Sequence, residues 1–441
     1  MGKHKWLLVI FSFILLLSSC YMRKDIDSDQ VSQEDEQEEV QIDEEPFIEN
    51  IRVTGEMHDS QYLEWGAKTS SGYYEVLVWP RDMYSLDSVY EQHGNIVFTD
   101  YKTAKRVFLC SIPGCAHNNS NCTSYVEFYY DMALFTNYSE TKLYLLSKGS
   151  PAHDYSTEEE LPSIIEMNMD GSNRRLLCKL DSNESFSPSN KEIASDDHVF
   201  LSVSRTWKEG KDARTRNVLV SICLHDGKRQ DVIDDEDWGI NRSVWDDRYL
   251  ITYRYNDDGV WFDKRDTDGT LLQKYGPYSA KGVYYSNKKV FLANTNGKEG
   301  TLSIIDLETD TRKEVGGIPA ETEGYITCYG EMNGYIHWLF IRAGENGKTE
   351  EYIIDVENGT YKEFSLDYYD VNGVYRKAGI IGKTKDNVCL VQVGDKKSSL
   401  TLMDLEGVPH TYEYQRPIRA VMNLSDYING EPIYTIVEDT V

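Results

Sequence analysis

From about residue 70 onward, short apolar runs rich in β-branched and aromatic residues alternate with polar turns, and the alternation repeats along the chain. Seven outer hairpins are predicted from it. They are Ile96 to Cys110 around Asp100 and Thr103, Ile164 to Leu180 around Asp170-Gly171, Leu219 to Ile233 around Asp226-Gly227, and Trp261 to Tyr275 around Asp268-Gly269. The series continues with Leu302 to Val315 around Asp306 and Thr309, Tyr352 to Phe364 around Asn358-Gly359, and Leu400 to Tyr414 around Glu406-Gly407. Asp-Gly and Asn-Gly tolerate the positive φ angles of tight hairpin turns, so these turns have a mechanism. An inner strand precedes most of these hairpins: Leu143 to Leu146, His198 to Ser202, Tyr249 to Tyr255, Val290 to Ala293, Tyr335 to Phe340 and Val388 to Val393. Several are entered through a polar pair such as Asp196-Asp197, Asp246-Asp247 or Asn333-Gly334.

The units recur every 40 to 55 residues or so, the spacing of four-stranded blades, and no long segment outside the N-terminus keeps a helical apolar period. An all-β chain folded as a β-propeller of seven four-stranded blades is therefore expected over residues 51–441, with a solenoid or sandwich as the competing architecture. Such a ring must hide the edges of its first and last blades. The hairpin from Tyr73 to Cys110 looks short of a full blade, and the strand-like tail Pro432 to Glu438 is expected to complete it.

The first twenty residues read differently. Lys3 and Lys5 precede an apolar stretch from Trp6 to Leu17, broken only by Ser12, and Leu17-Ser18-Ser19-Cys20 closes it with small residues before a cysteine. Spanning a bilayer takes roughly 20 apolar residues, more than this run holds before Met22-Arg23-Lys24. The pattern is a cleaved export signal, residues 1–19. The tetrad ending at Cys20 resembles the lipobox of bacterial prolipoproteins, and that resemblance implies lipidation of Cys20 and cleavage before it. Two acyl chains would anchor the product, since each buried CH2 contributes about 0.8 kcal/mol and one chain alone holds only marginally. The expected location is the extracytoplasmic face of a bacterial cell membrane.

Charge narrows the partners. The formal net charge of -28 excludes general nucleic-acid binding, which needs clustered Lys and Arg. Asp25 to Glu49 contains twelve acidic residues and no Lys or Arg, a composition that cannot bury enough apolar area to fold. Residues 20–50 are read as a disordered, self-repelling tether, with an acidic peptide that recruits a partner or cations as the alternative.

The repeated strand, Asp-x-x-Gly or Asp-x-x-Thr turn and strand resemble those of TolB-like and related propeller lipoproteins of anaerobic Gram-positive bacteria. Within Tyr101 to Tyr125, the run Leu109-Cys110-Ser111-Ile112-Pro113-Gly114-Cys115-Ala116-His117 with Cys122 looks like a signature of that group. The resemblance covers nearly all of the mature chain and implies a surface propeller without assigned activity. It brings no catalytic residues.

Besides Cys20 there are seven cysteines, an odd number that cannot all pair internally. Cys178, Cys223, Cys328 and Cys389 stand in apolar strands and read as small buried hydrophobes. Cys110, Cys115, His117 and Cys122 share one loop rich in Pro, Gly and Asn. Three thiolates and an imidazole form a tetrahedral set for structural zinc, whereas the tight Cys115-x-His117 spacing and the exported setting favour a disulfide with one thiol left over. A reactive thiol is the third reading. No cofactor is required.

Other motifs fail. Asp266-Thr267-Asp268-Gly269 begins like a calcium loop, but Pro277 stands where a bidentate glutamate belongs, so it reads as a hairpin turn. No phosphate-binding glycine loop, Gly-x-Ser-x-Gly elbow or His-Glu-x-x-His is present in the sequence. Tyrosine is abundant, with 32 residues including Tyr73-Tyr74, Tyr129-Tyr130, Tyr284-Tyr285 and Tyr368-Tyr369. Most should fill blades, while a minority near loops, with Trp207, Trp238 or Trp261, would stack on sugars or grip a peptide. The expected role is a monomeric binding or scaffold module for a protein, peptide or glycan. The competing class is a secreted carbohydrate- or peptide-active hydrolase or lyase at the channel mouth, and a TolB-like part in envelope assembly is the third.

Overall fold

The structure is a computed structural model that describes residues 52–57, 65–78, 92–128, 132–149, 161–186, 191–209, 211–234, 243–246, 249–256, 258–286, 288–320, 325–341, 349–384, 387–403 and 409–439. The signal segment, Cys20, the acidic tether, Tyr129-Tyr130, Trp238, Asp247 and the Glu406-Gly407 turn lie outside these residues.

The described chain is a β-propeller of seven blades. Blade 1 comprises Trp65–Lys68, Gly72–Val78, Gln92–Asp100 and Lys105–Phe108, paired antiparallel in that order. Blade 2 runs from Met132–Thr136 to Arg175–Lys179, blade 3 from Lys191–Ala194 to Arg229–Ile233, and blade 4 from Ser243–Asp246 to Leu271–Tyr278. Blade 5 runs from Gly282–Ser286 to Thr311–Pro319, blade 6 from Tyr325–Glu331 to Thr360–Glu363, and blade 7 from Gly379–Lys383 to Tyr434–Ile436. An extra hairpin, Asp367–Tyr369 with Tyr375–Lys377, stands between blades 6 and 7. The single helix among the described residues is Leu424–Asn429.

Each blade is covered on both faces by its neighbours, which is why strands such as Met132–Thr136 are apolar without alternation and wholly buried. Among the described residues the core divides accordingly into seven clusters, one at each junction. Phe135, Tyr144 and Val199 lie in the cluster between blades 2 and 3, Trp338 and Phe291 between blades 5 and 6, and Tyr73, Tyr101, Ile381 and Leu390 between blades 7 and 1. That last cluster closes the ring.

The repeated turn does more than reverse the chain. Asp170, Asp226, Asp268, Asp306 and Asp355 each accept backbone N–H bonds of 2.7–3.0 Å within their own turns. Gly171, Gly227 and Gly269 follow with positive φ, and each packs on a carbonyl belonging to the preceding blade. A Cβ would stand 2.6 Å from Thr123 O at Gly171, 1.9 Å from Leu177 O at Gly227, and 1.9 Å from Val232 O at Gly269. The glycine is thus needed for backbone angle and for the approach of adjacent blades.

Two expectations change. In blades 1 to 6 the predicted hairpins join the third and fourth strands, but in blade 7 the stretch from Leu400 to Tyr414 belongs to the second and third strands, Val388–Met403 and Pro409–Asn423. Both strands run past the blade as one long ribbon, so the apolar pattern located the pairing and misplaced its rank. Blade 7 then needs an outer strand and takes Tyr434–Ile436, which pairs with Ala420, Val421 and Met422. Only Glu438–Asp439 crosses to blade 1, in parallel register with Lys105 and Arg106. Blade 1 already has four strands of its own.

A further strand, Arg52–Met57, pairs antiparallel with the innermost strands of both blade 1 and blade 3. It also lies against Met132–Thr136, the innermost strand of blade 2, and so occupies the axial side of three consecutive blades.

Candidate metal centre

The fourth strand of blade 1 is broken. Lys105–Phe108 pairs with 97–100 of the third strand, and Tyr125–Phe128 pairs with 92–95 of the same strand, so the two pieces are collinear halves of one outer strand. Between them Ile96 accepts from Leu109 N–H (2.9 Å) and donates to Ser124 O (2.7 Å). The Thr123 hydroxyl adds a bond to Leu109 O at 2.7 Å. Residues 110–122 therefore loop out from a hydrogen-bonded neck in mid-strand, and this loop carries the cysteine cluster.

Cys110, Cys115, His117 and Cys122 converge there, with one ligand atom from each lying within 4.8 Å of all the others. His117 Nδ1 is 3.2 Å from Cys122 Sγ, and His117 N–H donates to Cys115 Sγ at 3.4 Å. Gly114 and His117 take φ of 70° and 55°, which turns the chain sharply enough to point both Cys115 and His117 inward. The imidazole stacks on Phe108 at 4.2 Å between centroids, and the Asn95 side chain donates to His117 O and to the Ser124 hydroxyl, each at 2.9 Å. Arg174, beside the Asp170-Gly171 turn of blade 2, donates through Nη1 to Tyr125 O at 2.6 Å and through Nη2 to Thr123 O. The loop is thereby tied to the neighbouring blade.

The electrostatics are uneven. Burial works to raise the Cys122 thiol, but hydrogen bonds with Ser124 (3.0 Å), His117 and Cys110 outweigh it and bring the pKa down to about 6. At Cys115 the His117 N–H pulls the pKa down, while burial and the adjoining Cys122 and Cys110 thiols turn the net shift upward. The loop thus gathers three sulfurs and one imidazole, a donor set suited to a thiophilic metal. All seven described cysteines carry free thiols. Cys178, Cys328 and Cys389 are buried as expected of small hydrophobes, whereas Cys223 is only half-buried. Burial pushes the Cys328 thiol up, and lifts that of Cys389 to about 12.

The remaining sequence candidates sort by exposure. Tyr73, Tyr74 and Tyr285 are buried in blade junctions, and Asp266 to Gly269 is a tight turn closed by Gly269 N–H to Asp266 O at 3.0 Å. Trp261 is half-buried, and Trp207 is exposed on the ribbon formed by His198–Glu209 and Asp212–Cys223. Tyr369 and Tyr375 face each other across the extra hairpin, 71% and 47% exposed with rings 5.8 Å apart. Tyr375 was missed in the sequence because it stands alone, outside any tyrosine pair.

No protein-family model matches this chain, and no curated protein matches it. Solved structures do. The oligogalacturonate lyase of Vibrio parahaemolyticus is 12% identical with a TM-score of 0.43, covering 83% of this chain and 98% of its own. A prolyl endopeptidase is 8% identical with a TM-score of 0.47 over 86% of this chain, which spans 55% of that enzyme. TolB of Acinetobacter baumannii is 12% identical with a TM-score of 0.33, covering 67% of this chain and 64% of its own.

Proposed function

We propose that the chain is an anchored extracytoplasmic propeller that serves as a binding or scaffold module for a protein, peptide or glycan. The observation that carries this reading is the strand Arg52–Met57, which takes the inner edges of blades 1 and 3 for the protein's own backbone. An active site brings its acid, base and electrophile together in one concave place, and here the inner side of blades 1 to 3 is partly filled by the chain itself. Among the described residues, the one place where three or more His, Cys, Asp or Glu ligand atoms gather is the Cys110–Cys122 loop, on an outer strand. Contact surface is available on the loops instead, with Tyr369 and Tyr375 as an aromatic platform that can stack on a sugar ring or a proline.

The anchor is part of the proposal. Cys20 with two acyl chains would hold the module to the membrane, and among the described residues no helix is long and apolar enough to cross one. The competing reading is a hydrolase or lyase at the channel mouth, which draws on the architecture shared with such enzymes.

One experiment separates the two. The purified full chain is incubated with peptidoglycan fragments, cell-surface polysaccharide and a peptide pool, and both retention and product formation are followed. A binder retains one class saturably and returns it chemically unchanged. New reducing ends, unsaturated sugars or shortened peptides would instead establish the enzyme.

A further inference from the structure

The break in the outer strand of blade 1 and the side chains in its loop belong to one device. We infer that Cys110, Cys115, His117 and Cys122 bind a single structural zinc ion that closes the loop and holds the two half-strands, Lys105–Phe108 and Tyr125–Phe128, in line. Tetrahedral zinc with bonds of about 2.0–2.3 Å sets its donors roughly 3.5 to 3.8 Å apart. The four donors already lie within 4.8 Å of one another, so a contraction of about an ångström seats the ion. His117 binds through Nδ1, the nitrogen that faces Cys122 Sγ.

The donor set, its number and its surroundings all point to a metal. The donors are one imidazole and three thiols, a soft set that selects zinc over oxygen-seeking ions. Four protein ligands leave no open position, which marks the site as structural. The surroundings are those that orient metal ligands, with Ser124 on Cys122, the His117 amide on Cys115, and Asn95 fixing both His117 and Ser124. Three thiolates about one zinc carry a net negative charge, and the Arg174 guanidinium of blade 2 lies near enough to interact with Cys122. The ion thereby strengthens the junction between blades 1 and 2 as well as the loop. A disulfide would engage two of the sulfurs and leave the third sulfur and His117 without a role. This inference does not depend on what the propeller binds.

Metal content of the full chain, purified in detergent from zinc-supplemented cells, tests it. One zinc per chain is expected, lost in Cys122→Ser and in His117→Ala and kept in Cys223→Ser, a cysteine remote in sequence from the loop. Should the loop variants fail to fold, the unaltered chain decides, after stripping with a chelator and titration with cobalt(II). The intense visible bands of tetrahedral cobalt with thiolate charge transfer, saturating at one equivalent, are expected. Chelation should also speed amide exchange in Tyr125–Phe128 and leave blades 4 to 6 unchanged. A metal-free chain with a disulfide between two of the three loop cysteines, or cobalt giving only the weak bands of an octahedral ion, would overturn the inference.

Discussion

Arg419, on the third strand of blade 7, donates through Nη1 to Glu75 Oε1 on the second strand of blade 1, and 344 residues of sequence separate the two. Arg106, on the outer strand of blade 1, bonds the same carboxylate oxygen at 2.8 Å. All three side chains are nearly inaccessible, at 1%, 3% and 3% exposure for Glu75, Arg106 and Arg419. The C-terminus completes the group, with Asp439 set 3.0 Å from Arg416 and 3.9 Å from Arg106. Blade 7 is thus locked to blade 1 by buried charge as well as by the apolar cluster around Tyr73, Tyr101 and Leu390.

Removing the shared carboxylate should open that lock. Glu75→Gln keeps the shape but leaves two buried guanidiniums facing a neutral group, and breaking a buried pair this way costs about 3–5 kcal/mol. The urea midpoint should fall accordingly, with the Glu75→Gln/Arg419→Met double variant less destabilised than the sum of the two single ones.

The turn glycines give a graded prediction. Gly227→Ala must accommodate a φ of 73° and a Cβ 1.9 Å from Leu177 O, whereas Gly359→Ala has a φ of 66° and nothing within 4 Å. Gly359→Ala should cost the left-handed penalty alone, about 1–2 kcal/mol. Gly227→Ala should cost clearly more, because the junction of blades 2 and 3 has to part. Thermal unfolding of the pair checks the order.

Acid should weaken the same turns. The Ser172 hydroxyl and amide hold Asp170 below the usual carboxylate range, the Thr309 amide and hydroxyl do so for Asp306, and the Asn358 amide and side chain do so for Asp355. A carboxylate depressed in the folded state contributes stability that is complete above its unfolded pKa of about 4 and is lost as pH falls through the folded value. Denaturant midpoints should therefore hold between about pH 5 and 7 and decline below about pH 4. Asp306→Asn should flatten part of that decline.

Anchoring yields a separate outcome. If Cys20 carries the lipid, Cys20→Ser should move the chain from the membrane to the soluble fraction, and mass spectrometry of the unaltered chain should show an acylated N-terminal peptide beginning at Cys20. An unmodified Cys20 in a bacterial host would remove the anchor from the account.

The blades were legible in the sequence because each is local. An Asp-Gly or Asn-Gly turn between two apolar runs specifies its own hairpin, and the spacing of such units specifies the repeat. The same locality explains what was missed. The ranks of the blade 7 strands, the role of Arg52–Met57 and the site where Glu438–Asp439 lands depend on pairings between distant residues, which leave no periodic mark. The four members of the cysteine cluster could be named because they stand within one loop. That the loop interrupts a strand could not, since nothing local marks Tyr125–Phe128 as the continuation of Lys105–Phe108 until Gln92–Asp100 is seen to pair with both halves. Glu75, Arg106 and Arg419 carried no signal, being three charges among many in a chain with net charge -28.

Closure of the ring is most directly tested by amide hydrogen exchange at its seam. Glu438 N–H donates to Ala104 O at 2.8 Å and Val437 N–H to Arg419 O at 2.8 Å, so both C-terminal amides should be strongly protected in the full chain. In Glu75→Gln they should lose protection together with Lys105–Phe108. Exchange of Val437 and Glu438 at the rate of a free peptide in the unaltered chain would contradict a closed ring.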